Sequence, residues 1–406
     1  MTKLKLLCAG LVLAGLLTAA ASGQLLQPGP ALGGVMRQLG PIGAMVDSLP
    51  ARATETLANA RLDRIGALVR ANPNRIALDQ NGFPARAGEI LIDDPDEALL
   101  SVATQHGYRL IERNDVLGVR YARIATLPGQ SLTAAIRALK KLGAKSVSAD
   151  QLHLESGIAG SPVTVGSTGR GAPIGIIDSG IAGRITAQRG FASGSPMAAN
   201  HGSAIASLIT GTGQIRGALP TARIYSADVY GTDPAGGNAS AIARAIGWLV
   251  GEGVPVLTIS LVGPANPILA RVVAAAQARG AIIVAAVGND GPASPPSYPA
   301  SYPGVIAVTG VDSRDRVLIE AGHATHLDYA APGADMLAAN AKGASIAVRG
   351  TSFATPLVAA TIAAAYPALD PSKRRAAFAS VDAGARKMGS RYGHGIVCGK
   401  CRTPIK

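Results

Sequence analysis

A chain of 406 residues is long enough for two or three ordinary domains, so its core need not depend on disulfides or metals. Apolar residues make up 48% and charged residues 16%, too apolar for a disordered chain, and 50 glycines and 26 prolines without a fixed period exclude collagen. The net charge is +13, and residues 371–406 carry nine basic residues against one acid, Asp382. With only Phe378 and Tyr392 in that stretch there is no stacking platform, so it reads as a solvated basic tail with no specific nucleic acid as partner.

The first 23 residues read as a signal peptide: Lys3 and Lys5 precede an apolar run over 6–21 and small residues through Gly23. That run is short of the roughly 20 residues a span requires, which predicts no stable membrane span and a secreted protein, periplasmic or extracellular. Residues 24–87 follow as a linker with a helical pro-region, in which Leu57, Leu62, Ile65 and Leu68 approximate one helix face over 54–69. Residues 88–160 then give strand 89–92, helix 96–104, strands 108–112 and 118–125, helix 132–142 and strand 145–153. This βαββαβ order is the ferredoxin-like α+β unit.

A Gly- and Ser-rich stretch, 156–173, has the composition of a cleavable linker. In residues 161–406, continuous apolar runs at 174–177, 223–228, 256–260, 282–287 and 305–311 alternate with helical stretches at 203–209, 239–250 and 267–278. Such a pattern predicts an α/β fold with a buried parallel sheet flanked by helices. Cys398 and Cys401, with no second ligand pair, suit a local disulfide better than a zinc site.

Three residues at element ends carry chemistry. Asp178 follows the apolar strand, His201 sits in the first turn of a helix, and Ser352 stands where a long Ala-rich helix begins, with Pro356 near its start. Each alone has an ordinary reading, such as turn aspartate or helix cap. Together they form the ordered set Asp, His, Ser.

The segments Ile177-Asp178-Ser179-Gly180, His201-Gly202-Ser203 and Gly350-Thr351-Ser352-Phe353-Ala354-Thr355-Pro356 resemble the three motifs of the subtilisin-like serine peptidases, the subtilases. The resemblance implies an endopeptidase acting on peptide or protein substrates through an acyl-enzyme. Ser352 would be the nucleophile, His201 the general base and then acid, and Asp178 the group that orients the imidazole. Ala285-Ala286-Val287-Gly288-Asn289-Asp290-Gly291 is similar to the family's oxyanion segment and makes Asn289 the oxyanion donor. Ser260, Leu261, Val262, Ala286, Val287 and Gly288 are the substrate-binding candidates by the same likeness.

The family likeness also implies that the βαββαβ unit is an inhibitory prodomain, a partner in cis, with self-processing within 154–171. A secreted binding protein that keeps the fold without turnover is the alternative. Val262 replaces the family's usual glycine and Val287 is bulkier than its usual counterpart, which predicts a small or modest apolar residue before the cut bond. No cofactor is implied; calcium is common in the family, but no acidic cluster here has the ligand spacing to assign it, and no metal site is predicted.

Overall fold

The computed structural model describes residues 51–157, 165–166 and 170–405, so the predicted leader lies outside the described residues. Helix α1 (Ala51–Ala71) comes first. Leu57, Ile65 and Leu68 are buried, but Leu62, expected on the same face, is 59% exposed. At about 100° per residue Leu62 is turned roughly 140° from Leu57, whereas positions 61, 64 and 68 return to the Leu57 side.

The small module comprises β1 (Ile76–Leu78), β2 (Pro84–Asp93), α2 (Glu97–Gln105), β3 (Arg109–Val116), β4 (Val119–Ala125), α3 (Leu132–Lys141) and β5 (Val147–Gln151). All its strand pairs are antiparallel: β2 pairs with β1, β4 and β5, and β3 pairs with β4. Strand β2 begins five residues before the expected one, inside the predicted linker. Pro84 and Gly88 punctuate the run there, yet Pro84 stands at the strand's first position, where a missing donor is tolerated. The β1–β2 turn is held by Asp79, whose carboxylate accepts from the Asn81 and Phe83 backbone N–H groups at 2.8 and 3.0 Å. Asp96 and Ser131 cap α2 and α3 by accepting from Leu99 and Ala134.

A two-residue strand, β6 (Leu154–Glu155), follows the module. Val165–Gly166 (β7) pairs in parallel with Gly183–Arg184 (β9). The large sheet is built from β8 (Pro173–Asp178), β10 (Ala187–Gly190), β11 (Arg223–Asp228), β12 (Val256–Ile259), β14 (Ile282–Ala286), β15 (Ile306–Val311) and β16 (Tyr329–Pro332). Its order is β10-β11-β8-β12-β14-β15-β16, and every neighbouring pair is parallel. The edge strands β10 and β16 are too short and mixed in polarity to announce themselves in the sequence.

Ile174, Ile176, Val256, Val284 and Val308 pack under α4 (Asn200–Thr210) and α7 (Thr351–Ala365). Ile177, Leu257, Ile259 and Ile283 pack on the other face under α5 (Ala239–Gly251) and α6 (Pro267–Ala278). Burial on both faces is why these strands read as continuous apolar runs. The short β13 (Leu261–Val262) leaves the sheet just past β12. The chain then closes with the antiparallel pair β17 (Met336–Ala339) and β18 (Ser345–Val348), and with α8 (Arg374–Gly384).

The module docks on α5 and α6. Leu91, Val116, Val119 and Tyr121 join the core on that side. Asp150 accepts from the Ser240 N–H at 2.9 Å, in the first turn of α5, where a negative group meets the positive helix end. Asn266, the cap of α6, donates through Nδ2 to Gln151 Oε1 at 2.8 Å and to the Ala149 carbonyl at 3.1 Å.

The basic C-terminal stretch packs on the fold, while Lys373, Arg375, Lys387 and Lys400 remain exposed, as expected of a solvated basic tail. Arg402 donates to the Asp312 carbonyl at 2.6 Å, Arg386 pairs with Asp315 at 2.5 Å, and Cys398 is bonded to Cys401. Charge counting could not see that a backbone carbonyl and an acid elsewhere in the chain receive these cations.

Candidate active site

Parallel register aligns the carboxyl ends of the strands at one rim, with Asp178 of β8 beside Asp228 of β11. His201 is the second residue of α4 and is 2% exposed; its Nδ1 lies 2.8 Å from Asp178 Oδ1. Gly202 permits this approach, because a Cβ there would collide with the Ser179 carbonyl. Ser179 also ties the two elements, its hydroxyl accepting from the Gly202 N–H at 3.1 Å. Burial disfavours the charged imidazole, but the carboxylates of Asp178 and Glu155 outweigh it and raise His201 to about 9.

Ser352 is the second residue of α7, not its cap; the capping position is Gly350, at φ 141°. Pro356 lies well inside this helix and removes the N–H that would bond the Ser352 carbonyl. The Ser260 hydroxyl replaces it, donating to that carbonyl at 2.9 Å. Pro356 is thus tolerated because a residue at the end of β12 satisfies the orphaned acceptor. It is not tolerated, as first expected, merely by lying near the helix start.

The Ser352 Oγ donates to the Ser260 carbonyl at 3.0 Å and lies 2.7 Å from the Ser156 Oγ. His201 Nε2 has no hydrogen-bond partner among the described residues. The hydroxyl, imidazole and carboxylate are therefore carried on the starts of two packed helices and the end of one strand, with the Asp178–His201 bond made and the serine turned toward Ser156.

Asn289 follows β14. Its side-chain carbonyl accepts from the Thr351 N–H at 3.0 Å, and Nδ2, beside the helix cap Gly350, has no partner among the described residues. A Cβ on Gly350 would come within 2.8 Å of Asn289 Nδ2 and of Gly157 Cα and within 3.1 Å of the Ser156 carbonyl oxygen. These groups surround one point, which only glycine leaves open.

What fills the cleft is the chain just before the predicted linker, Leu154 and Glu155, with the linker's first two residues, Ser156 and Gly157. Strand β6 pairs antiparallel with β13, Glu155 opposite Leu261 and Leu154 opposite Val262. The Ser156 N–H donates to the Ser260 carbonyl at 3.2 Å, and the Ser352 N–H donates to the Ser156 carbonyl at 3.1 Å. On the opposite rim the His153 N–H donates to Gly237 at 2.8 Å and the Tyr230 hydroxyl to the His153 carbonyl at 2.6 Å. Small residues made Ser156 and Gly157 look like linker; here smallness lets the chain thread between Phe353 and Ser352, which a Cβ on Gly157 would crowd to 2.7 and 3.2 Å.

Glu155, Ser156, Gly157 and Tyr230 are the residues the sequence reading did not single out, and no local motif marks them. Burial, foremost, and the neighbouring Asp178 push the Glu155 carboxyl up, against the pull of His201, to about 7. His153 is fully buried, and burial lowers it to about 4.

Among the substrate-binding candidates, Ser260 and Leu261–Val262 line this strand directly, and the Val262 methyls stand 3.3 and 3.5 Å from where a Gly288 Cβ would be. The Gly288 N–H donates to the Thr351 hydroxyl at 3.1 Å. Ala286 ends β14 and is buried. Val287 is buried in the core on the α5–α6 side.

Among the described residues the one group of three side chains disposed as metal ligands is Glu155, Asp178 and His201. Two carboxylates and an imidazole do not fit calcium, which takes six to eight oxygens.

Comparison with known proteins agrees with this geometry. The sequence profile of the Subtilase family matches residues 169–395. Subtilisin BL of Lederbergia lenta is 32% identical over 209 residues, covering 49% of this chain and 77% of that protein. Subtilisin DY of Bacillus licheniformis is 31% identical over 252 residues, 57% of this chain and 90% of the relative. Among solved structures, fervidolysin from Fervidobacterium pennivorans, described as a keratinolytic enzyme related to subtilisin, shares the fold at a TM-score of 0.63 and 18% identity; the match covers 79% of this chain and 61% of that one. A parallel sheet with these sequence landmarks at its carboxyl rim, matched over that range, makes this chain a member of the subtilase family of serine endopeptidases.

Proposed function

We propose that the protein is an exported subtilase zymogen that cuts itself between Ser156 and Gly157 and then hydrolyses other peptides at the same site. In this reading the Ser352 hydroxyl attacks the carbonyl carbon of the bond to be cut and gives its proton to His201 Nε2, while Asp178 holds Nδ1 and stabilises the imidazolium. The amine departs with the proton returned by His201, leaving an ester on Ser352 that water hydrolyses by the same relay. Asn289 Nδ2 and the Ser352 N–H receive the negative oxygen. Residues up to Ser156 form the prodomain, with α1 and β1 belonging to it as well as the βαββαβ unit.

The observation that carries this reading is the bond from the Ser352 N–H to the Ser156 carbonyl, 3.1 Å, on a segment already paired as a strand with β13. The mass of the mature amino terminus tests it: a chain starting at Gly157 is expected, and a first cut elsewhere in 154–171 would replace this bond with another. Among the described residues no helix is long and apolar enough to cross a membrane.

Val262 explains the size of Ser156. Its two methyls occupy the space beside Gly288 into which a large side chain before the cut bond would point. Val262→Gly is expected to raise kcat/KM for a peptide with Phe before the cut bond, relative to Ala, by about tenfold or more, since one pocket methylene is worth about 1–3 kcal/mol. Peptide-library profiling reads the ratio; an unchanged ratio places the restriction elsewhere.

Glu155 sets the pH response of the first cut. Its Oε1 lies 3.9 Å from His201 Nδ1, with Asp178, Asp228 and the Tyr230 hydroxyl as the other ionisable neighbours. Negative charge beside the imidazole favours its protonated form, which cannot accept the serine proton, so neutral base fills only as pH rises through about 9. Glu155→Gln removes one such charge. The pH at half-maximal self-cleavage is therefore expected to fall by about one unit or more, measured as loss of precursor against pH. Coincident profiles would remove Glu155 from the titration.

A further inference from the structure

Helix α1 precedes the ferredoxin-like unit and is amphipathic in an unusual way: arginines share its buried stripe. From Leu57, positions 61, 64, 65 and 68 return to one side, and Arg61 and Arg64 are only 17% and 24% exposed. Both reach the same acid. Arg61 Nε lies 3.3 Å from Asp290 Oδ2, and Arg64 Nη2 bonds Asp290 Oδ1. Asp290 is the residue after Asn289.

The contact continues on either side of the ion pairs. Leu57, 3% exposed, stands where a Cβ on Gly291 would meet it at 3.0 Å, so this end of the helix lies against the loop directly. Gly291 is in turn anchored by its N–H to the Glu320 carbonyl at 2.9 Å. At the other end Leu68 packs with Ile76, Leu152 and Ala235, with Val69 and Leu154 beside them. Leu154 belongs to the strand lying in the cleft. The twelve residues from Leu57 to Leu68 span about 16 Å, so one rigid rod touches both the Asn289 loop and the cleft strand.

We propose that α1 is a second inhibitory clamp, separate from the strand in the cleft, in which Arg61 and Arg64 grip Asp290 and hold the released amino-terminal fragment on the Asn289 loop after the bond at Ser156 is cut. This rests on the zymogen reading for what the fragment is. The pairing itself does not depend on cleavage. The partner recognised by the Asp290–Gly291 surface is thus a basic amphipathic helix with a leucine one turn before the first of the two arginines that grip Asp290. The paired charges are half-buried and double, a geometry in which reversing one side turns two attractions into two repulsions.

The test uses the full chain and a charge swap. In Arg61→Glu/Arg64→Glu, cleavage at Ser156 is expected at the wild-type rate, while the lag between cleavage and peptide hydrolysis shortens about tenfold or more. Adding Asp290→Arg should restore most of the lag. A double variant with the wild-type lag, or a swap that restores nothing, overturns the clamp. A second measurement is made in the same substitutions on a Ser352→Ala background. Amide exchange in α1 and in residues 288–291 is expected to rise about tenfold with the arginines reversed and to fall again with the swap. Unchanged exchange there overturns the clamp whether or not the chain cuts itself, whereas absence of cleavage in every variant with the exchange pattern intact counts against the zymogen reading alone.

Discussion

Ser352→Ala is expected to leave the chain uncut at Ser156–Gly157 and to lower kcat for peptide substrates by about a millionfold, the size the same truncation has in a subtilisin. The reason is chemical: among the described residues the hydroxyl next to Ser352 Oγ is the Ser156 Oγ, 2.7 Å away, and it belongs to the residue whose carbonyl is the proposed target of attack. Labelling by a serine-directed fluorophosphonate, compared with the precursor mass, separates the two functions of this residue. Both should be lost together. Labelling or cleavage that persists in the variant would mean that the nucleophile lies elsewhere. The fold should survive, since residue 352 keeps the backbone carbonyl and N–H through which it bonds Ser260 and Ser156 and loses only its Oγ contacts with them.

The second large effect is expected at Asn289, where loss of the Nδ2 donor should lower kcat by about 10²–10³, a value taken from the corresponding asparagine of a subtilisin. Asn289→Ala alone would be ambiguous, because it also strips the Thr351 N–H of its acceptor at 3.0 Å and so loosens the start of α7. Asn289→Asp keeps that acceptor and removes the donor. Both variants should therefore lose kcat with little change in KM, while thermal unfolding moves down clearly only for Ala. If Asp retains near-native kcat, the negative oxygen is held by other groups.

These expectations draw unequally on sequence and structure. Asp178, His201, Ser352 and Asn289 could be named from short motifs because each sits where a strand ends or a helix begins, and such junctions leave local marks: an apolar run before, small residues around, an Ala-rich helix after. The βαββαβ order was legible for the same reason, through the alternation of short apolar periods. The burial of Arg61 and Arg64 in α1 was not. Strict helical periodicity puts positions 61 and 64 on the Leu57–Leu68 side and Leu62 off it, but arginines on an apolar stripe read as solvated until the acid that pairs with them, Asp290, is in place.

Amino-acid order alone determined the parallel α/β core, its family motifs and the small module before it, since burial on both faces and tight junctions restrict residue types locally. Tertiary structure alone decided that Leu154 and Glu155 form a strand in the cleft with Ser156 and Gly157 after it, that the Val262 methyls stand beside Gly288, and that the basic terminus is docked. Each of these depends on partners a hundred or so residues away or on which face a side chain takes. Such pairings leave no period or motif in the segment itself, because the groups that satisfy its hydrogen bonds and charges are supplied by the rest of the fold.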